Sequence, residues 1–161
     1  MYWFDNCITG PVVASLSDPH PYDCSWNGPV WPFALSLVLD ALGDASYTND
    51  ALCATFERLF LEYTELHFDC GDRSTPCICE HYCPTDGMSF SPYTEYFHSE
   101  WLNLFFSYYL GIRVTEEGIS LRPITADTFS VEGIVIRGKT YRVSQEWRDG
   151  SPVREVLLRE E

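Results

Sequence analysis

Two short segments hold the residue types that could do chemistry, and the first is Trp26-Asn27-Gly28-Pro29-Val30-Trp31. Its two indoles flank a Gly-Pro turn, which fixes the backbone and holds both rings at set angles. A sugar ring has apolar C–H faces that stack on aromatic side chains, and hydroxyl edges that need polar partners such as Asn27. The segment therefore indicates a carbohydrate site. The alternative is that the tryptophans only seal the start of a buried helix.

The second segment, Glu80-His81-Tyr82-Cys83-Pro84-Thr85-Asp86-Gly87, offers a carboxylate beside an imidazole and a phenol. A glycosidase needs two carboxylates, because one protonates the leaving oxygen while the other activates water or attacks the sugar. Glu80 lies in a predicted loop between helices, which is a common place for catalytic groups. We therefore take Glu80 as the candidate, against the alternative of an ordinary solvated loop residue. The two segments together suggest a glycosidase site of which this chain holds part.

Cysteines and histidines around Glu80 allow a different interpretation. Soft thiolates with imidazoles suit zinc, but paired C-x₂₋₄-C knuckles are missing, and small buried thiols are the simpler reading. We therefore expect no metal, and no cofactor, since the sequence has neither a phosphate loop nor a dinucleotide fingerprint. Zinc remains an open alternative through six candidate ligands: His67, Cys70, Cys77, Cys79, His81 and Cys83.

Composition limits the classes of partner. The 161 residues include 24 acidic and 10 basic side chains, a formal charge of −14, so nucleic acid is an unfavourable partner and a neutral or cationic ligand is favoured. The sequence contains no run of eighteen apolar residues, so no membrane span is predicted. Seven cysteines are an odd number for a disulfide framework, and the first residues lack a secretory pattern, so we expect a cytoplasmic protein.

Helical patterns dominate the first two thirds of the chain. The first helix is expected over 31–42, with Pro32 in its first turn, Gly43 at its end and most of its surface buried. The second is expected over 50–66, capped by Thr48 or Asn49, with one apolar stripe. The third, over 94–110, has an aromatic face and ends at Gly111.

The period changes after Gly111, and short strands are expected at 119–121, 129–131, 134–136 and 141–143. Arg137-Gly138 and Asp149-Gly150 are turn signals. The fold class is thus mainly α with a C-terminal antiparallel β segment. We expect helices over 1–111 and a small antiparallel β region over 112–161.

Both candidate segments resemble motifs of one enzyme class. Trp26–Pro32 is similar to the W-x-G-P-x-W segment of glycosidases with an (α/α)₆ toroid, namely glycoside hydrolase family 63 and relatives such as the mannosylglycerate hydrolases. Glu80–Gly87 resembles their E-x-Y-[ND]-P-x-[TD]-G segment, with Cys83 where Asn or Asp is usual. Tyr96–Trp101 resembles the aromatic helix start that follows, with Glu100 where an aromatic residue is usual.

The resemblance implies part of a twelve-helix toroid followed by a small β-sheet, and an inverting mechanism. Carried over by motif, the general base falls on Glu80, and Tyr82 would support it. The general acid is an upstream Asp that no residue here matches, so the chain would be the C-terminal portion of an α-glycosidase. The sugar would be held by Trp26, Asn27 and Trp31, with His98 and Trp101 nearby.

Such a portion would expose apolar helix faces, which favour self-association or a complementing chain. Two alternatives to the enzyme remain. One is a non-catalytic carbohydrate-binding or assembly module made from the same parts. The other is a zinc-stabilised interaction domain.

Overall fold

The computed structural model describes residues 28–68, 74, 76–89, 91, 95–96 and 98–158. The chain divides between Leu104 and Phe105 into a helical unit and a β-rich unit. This order, three α-helices followed by antiparallel sheets, agrees with the fold class expected from the sequence. No helix among the described residues is both long and apolar enough to cross a bilayer.

Helix α1 spans Pro32–Ser46, with proline in the first position, where a missing N–H is harmless. The predicted end at Gly43 is wrong, because Gly43 is buried inside the helix and packing overrides the local signal. The expected near-complete burial is also wrong. Leu35 and Leu39 are buried, whereas Phe33 and Leu37 are 64% and 58% exposed, since nothing in the described part of the chain covers their side.

Helix α2 spans Cys53–Leu66 and is preceded by a 3₁₀ turn, Asp50–Leu52. Asn49 caps this turn, because its Oδ1 accepts a hydrogen bond from the Ala51 N–H at 3.2 Å. The helix packs against α1. The predicted apolar stripe is confirmed, and its buried members are Phe56, Leu59, Phe60, Tyr63 and Leu66.

Helix α3 spans only Ser99–Leu104, so the predicted start at residue 94 is wrong. Glu95 instead pairs in parallel with Ile78, and the Tyr96 N–H donates to the Ile78 carbonyl at 2.8 Å. These backbone bonds hold residues 95–96 extended. A helix covering them would break the pairing.

The β-rich unit opens with a π-helical turn, Phe105–Tyr109, in which the Leu110 N–H donates to the Phe105 carbonyl. Two sheets follow. The strands β1 (Ile112–Thr115) and β2 (Gly118–Leu121) form a hairpin. The other sheet has the antiparallel order β3-β4-β5, with strands Phe129–Ile136, Lys139–Arg148 and Ser151–Leu158.

Both predicted turns connect strands of the larger sheet. Arg137 and Gly138 have φ values of 53° and 76°, and Asp149 and Gly150 have 52° and 76°. Two successive positive φ angles are the signature of the tight hairpin turn whose twist matches that of the strands. The predicted strands 129–131 and 134–136 are one strand with a bulge between Val131 and Ile134.

A small apolar core joins the two sheets. Leu110, Ile112 and Val143 are buried at its centre, and part-buried residues pack around them: Phe105, Tyr109, Ile119, Leu121, Phe129, Val131 and Ile134. The loop before β3 is fastened by the buried Gln145, whose amide N–H groups donate to the carbonyls of Thr125 and Asp127, each at 3.0 Å.

Gly111 has the closest neighbours of the described glycines in this unit, which generates the first prediction. Its φ is +63°, and a methyl group there would collide with the Arg122 carbonyl group. Gly111→Ala should therefore lower the free energy of unfolding by about 2–5 kcal/mol, combining left-handed strain with overpacking. Gly138→Ala is the matched control, because its φ is +76° with open space around it, and it should cost only about 1–2 kcal/mol. Urea unfolding measures both, and equal losses would contradict the steric argument.

Candidate functional site

The two candidate segments are joined by their main chains. The Val30 N–H donates to the Tyr82 carbonyl at 2.9 Å, and the Tyr82 N–H donates back to the Val30 carbonyl at 3.0 Å. Both residues are completely buried. Tyr82 also pairs with Ser89, on the far side of a turn closed by the Gly87 N–H and the Cys83 carbonyl. Trp31, which follows Val30, and Glu80, which precedes Tyr82 by two residues, are therefore held in fixed positions.

The side chain of Tyr82 fixes the segment before Glu80. Its hydroxyl donates to the Cys77 carbonyl and accepts from the Cys79 N–H, both at 2.8 Å. The ring is completely buried and does not line the cavity described next. Tyr82 thus supports the backbone directly before Glu80.

Glu80 and Trp31 line a single cavity of about 510 Å³ in the helical unit. The Ser91 hydroxyl donates to Glu80 Oε2 at 3.4 Å, and the Trp31 ring meets the His81 ring edge-on, with centroids 5.0 Å apart. Helices α1 and α3 both begin at this cavity. Its lining consists of Trp31, Pro32, Phe33, Ser36, Tyr63, Glu80, Tyr96, His98, Ser99 and Glu100.

His98 belongs to this lining and is paired with a second histidine. Its Nδ1 lies 2.8 Å from Nε2 of His67, the residue that follows α2, so one ring donates and the other accepts. Burial, and then the neighbouring His98 ring, lower the pKa of His67 to about 4. Burial also lowers the pKa of His98 to about 4, against an opposing effect of the Cys79 backbone. Both imidazoles are therefore neutral at pH 7.

Two lining residues, Tyr63 and Glu100, received no role in the site from the sequence motifs. Tyr63 belongs to the core stripe of α2, yet it borders the cavity, where burial, followed by Tyr82 and Glu100, raises the pKa of its phenol far above the ordinary value. Glu100 brings a second carboxylate, and its Oε1 accepts from Asn103 Nδ2 at 2.7 Å. No local pattern marks these residues, because the cavity joins positions far apart in the sequence.

Trp101 does not line the Glu80 cavity. Its ring stacks on Phe60 with centroids 5.6 Å apart, and its N–H donates to Thr64 Oγ1 at 2.9 Å. It lines a second, apolar cavity of about 530 Å³, which shares only His98 and Ser99 with the first. Trp26 and Asn27 lie outside the described residues.

The cysteine-rich loop shows no metal geometry in the part of the chain that the structure describes. No three His, Cys, Asp or Glu side chains there are arranged to hold an ion. Cys70 lies outside the described residues. The sulfurs of Cys77 and Cys79 lie 3.1 Å apart.

The histidine pair should make the stability of the helical unit depend on pH. An unfolded histidine titrates near pH 6.5 and the folded pair near 4, so between these values the unfolded chain binds protons that the folded chain does not. Stability should therefore fall as the pH drops from 7 to 5, by about 2–3 kcal/mol for the pair, because solvent screens part of the effect of the half-buried His98. Above pH 7 the pair should contribute no pH dependence.

Urea unfolding followed by helical circular dichroism measures this loss. His67→Gln and His98→Gln should each remove about half of the loss of stability between pH 7 and pH 5. The difference between each variant and the unchanged chain separates the contribution of the histidines from that of the carboxylates, which titrate in both. Parallel pH profiles for the variants and the unchanged chain would contradict the neutral pair.

Comparison with known proteins adds one match. No curated protein sequence and no solved structure matches the chain. Residues 7–99, more than half of the sequence, match the family described as the mannosylglycerate hydrolase MGH1-like glycoside hydrolase domain. This stretch contains both candidate segments and ends where α3 begins. The chain therefore belongs to the family of mannosylglycerate hydrolase MGH1-like glycoside hydrolase domains.

Proposed function

We propose that this chain provides the general base and part of the sugar-binding site of an inverting α-glycosidase. Glu80 is the base, and Trp31 is a wall for the sugar ring. The three helices form part of an (α/α)₆ toroid. Membership of a glycoside hydrolase family supports the general class of reaction, and the resemblance of the two motifs supports the finer assignment.

One observation carries the proposal: an indole and a carboxylate from distant segments border the same cavity. The cavity volume of about 510 Å³ falls in the range of small-molecule sites. Trp31 offers an apolar face to the C–H groups of a pyranose. Glu80 can take a proton from a water that lies within hydrogen-bond distance of both its carboxylate and the sugar.

The neutral groups of the lining suit the hydroxyls of a sugar. Tyr63 keeps its phenolic proton throughout the neutral range, because burial raises its pKa. His98 is uncharged, because burial lowers its pKa. Such groups hydrogen-bond a hydroxyl without the desolvation cost of a buried charge.

Two carboxylates are required, and the cavity contains Glu100 as well as Glu80. Inverting enzymes place the pair about 6.5–9.5 Å apart, across the sugar. The resemblance assigns the acid to an upstream Asp, so Glu100 serves as a ligand-facing carboxylate rather than as the acid. Substitution of each carboxylate separately distinguishes these roles.

Glu80→Gln should abolish most turnover in a chain extended by its upstream coding sequence. Loss of a general base costs at least about 100-fold in kcat, and the assay uses aryl α-glucosides and α-mannosides. Glu57→Gln is the matched control, because Glu57 lies on α2 outside both cavities, and it should leave kcat unchanged. Full turnover after Glu80→Gln would refute the assignment, and a comparable loss in Glu100→Gln alone would transfer the role to Glu100.

A carbohydrate-binding or assembly module is the second candidate. It is favoured because the cavity lining suits a sugar, while no residue in that lining is assigned as the general acid. Titration of the 161-residue chain with monosaccharides and disaccharides, followed by tryptophan fluorescence, separates the two. Binding that survives Glu80→Gln, with no hydrolysis by either length of chain, favours the module. A zinc-stabilised domain would require about one equivalent of zinc in the purified protein.

The charges that line the cavity favour neutral sugars over anionic ones. Glu80 and Glu100 face it, and no Lys or Arg is present in its described lining. Mannosylglycerate contains a carboxylate on its glycerate part, which two nearby carboxylates would repel. This part of the site therefore holds a neutral sugar ring, and any anionic group of a substrate is held elsewhere.

The 161-residue chain should accordingly bind methyl α-mannoside more tightly than the same sugar with an added carboxylate. The difference in Kd should be roughly tenfold at low salt, since one unscreened like-charge contact costs about 1 kcal/mol or more. Glu100→Gln should reduce this difference in Kd, whereas Glu57→Gln should leave it unchanged. Equal affinities at low salt, or tighter binding of the anion, would contradict the charge argument.

The exposed apolar side of α1 is the expected site of association. Phe33 and Leu37 lie on this side, and Leu61 on α2 is 45% exposed. A toroid would cover such side chains with its neighbouring helices. In the isolated chain they favour self-association or binding of a complementing chain.

A further inference from the structure

The segment Cys77-Ile78-Cys79 directly precedes Glu80 and has an extended geometry. Ile78 pairs in parallel with Glu95, and its side chain is 38% exposed. Successive side chains of an extended segment point to opposite faces, so Cys77 and Cys79 share the face opposite Ile78. Their sulfurs lie 3.1 Å apart, about 1 Å more than a disulfide bond.

The backbone around both cysteines is fixed. The Cys77 N–H donates to the His67 carbonyl at 2.8 Å. The Tyr82 hydroxyl binds the Cys77 carbonyl on one side and the Cys79 N–H on the other. The two thiols therefore stay together rather than meeting by chance motion. Cys77 is part-exposed, so a reagent can reach it, while Cys79 is completely buried beside it.

We propose that Cys77 and Cys79 form a reversible disulfide, with Cys77 as the attacking thiol and Cys79 as the resolving thiol. The oxidant is a small-molecule disulfide. The Cys77 thiolate attacks one of its sulfurs and releases one thiolate, leaving a mixed disulfide on Cys77. The Cys79 thiol then attacks the Cys77 sulfur and expels the second thiolate, which takes up the Cys79 proton and leaves as a thiol. The two cysteines lose two electrons, and the small disulfide is reduced to two thiols.

Chain geometry makes such a bond easy to reduce. Two residues of an extended segment span about 6.6 Å between Cα atoms, close to the upper limit of about 6.8 Å for a disulfide. A bond near this limit is strained, and strained disulfides belong to the labile class rather than the structural class. The thiol and disulfide forms should therefore exchange with the surrounding redox poise.

Peptide mapping tests the inference in the folded 161-residue chain. Cleavage after Arg73 and after Glu80 yields the peptide 74–80, in which Cys77 and Cys79 are the only cysteines. After treatment with oxidised glutathione and alkylation, this peptide should lose two hydrogens and take up no alkylating reagent. Excess reduced glutathione should restore both thiols.

Three controls make the result specific. Cys83→Ser should leave the product unchanged, because the Cys83 thiol contacts Thr85 at 3.0 Å instead. Cys79→Ser should stop the reaction at a glutathione adduct on Cys77. The urea-unfolded chain should give a mixture of pairings among its seven cysteines. Two alkylated thiols in the folded chain, a stable glutathione adduct on Cys77 of the unchanged chain, or a bond from Cys77 to another cysteine would each overturn the proposal.

Formation of the bond should alter the Glu80 cavity, a consequence that rests on the proposed function. Closing the 1 Å gap would strain the hydrogen bonds that hold the backbone immediately before Glu80, so the oxidised chain should bind methyl α-mannoside more weakly than the reduced chain. The two ideas fail separately. If the reduced chain binds no sugar, the proposed function is wrong while the mass of peptide 74–80 still decides the disulfide. If peptide 74–80 stays reduced, the proposal of a disulfide is wrong, regardless of whether the chain binds the sugar.

Discussion

The two-way backbone pair between Val30 and Tyr82 is the constraint on which the candidate site depends. Each residue gives and receives one hydrogen bond, and both are completely buried. Buried backbone groups that lose their partners carry a large desolvation cost, so the pair resists opening. Trp31 follows one member and Glu80 precedes the other by two residues, and both line the cavity between the starts of α1 and α3.

The cavity combines fixed charges with groups kept neutral by burial. Glu80 and Glu100 bring the carboxylates, and a high pKa keeps the proton on Tyr63. A low pKa leaves His98 without charge, as it does His67, the hydrogen-bonded partner of His98 outside the cavity lining. A cationic histidine pair would attract both carboxylates and compete with a ligand. Neutral rings instead leave hydrogen-bonding atoms for an uncharged polar molecule, which is the chemistry of a sugar.

Local signals predicted local features well. The Asn49 cap, the stripe from Phe56 to Leu66 and the turns at Arg137-Gly138 and Asp149-Gly150 all depend on near neighbours, and all are confirmed. Strand β5 was missed because Pro152 interrupts its pattern, although an edge strand tolerates a proline. Strand β1 was missed because its four residues are too short to show a period.

Features that join distant positions had no local signal. The motifs marked Trp31 and Glu80, and the structure brings these two together. His67 and His98 are 31 positions apart, so no local sequence pattern around either residue predicts their contact. The early end expected for α1 and the early start expected for α3 fail for the same reason: a packed glycine and a backbone pair to Ile78 decide the boundaries.

The way in which the Glu80 segment is held has a consequence for behaviour in concentrated electrolytes. Its described supports include main-chain hydrogen bonds, the buried Tyr82 phenol and the Ser91 hydroxyl. At 0.1 M salt, mobile ions screen the attraction between exposed charges that lie more than about 10 Å apart, but they barely affect buried bonds between neutral groups. Salt should therefore leave the position of the carboxylate unchanged, so any response of the site to ionic strength reports on the charge of the incoming molecule.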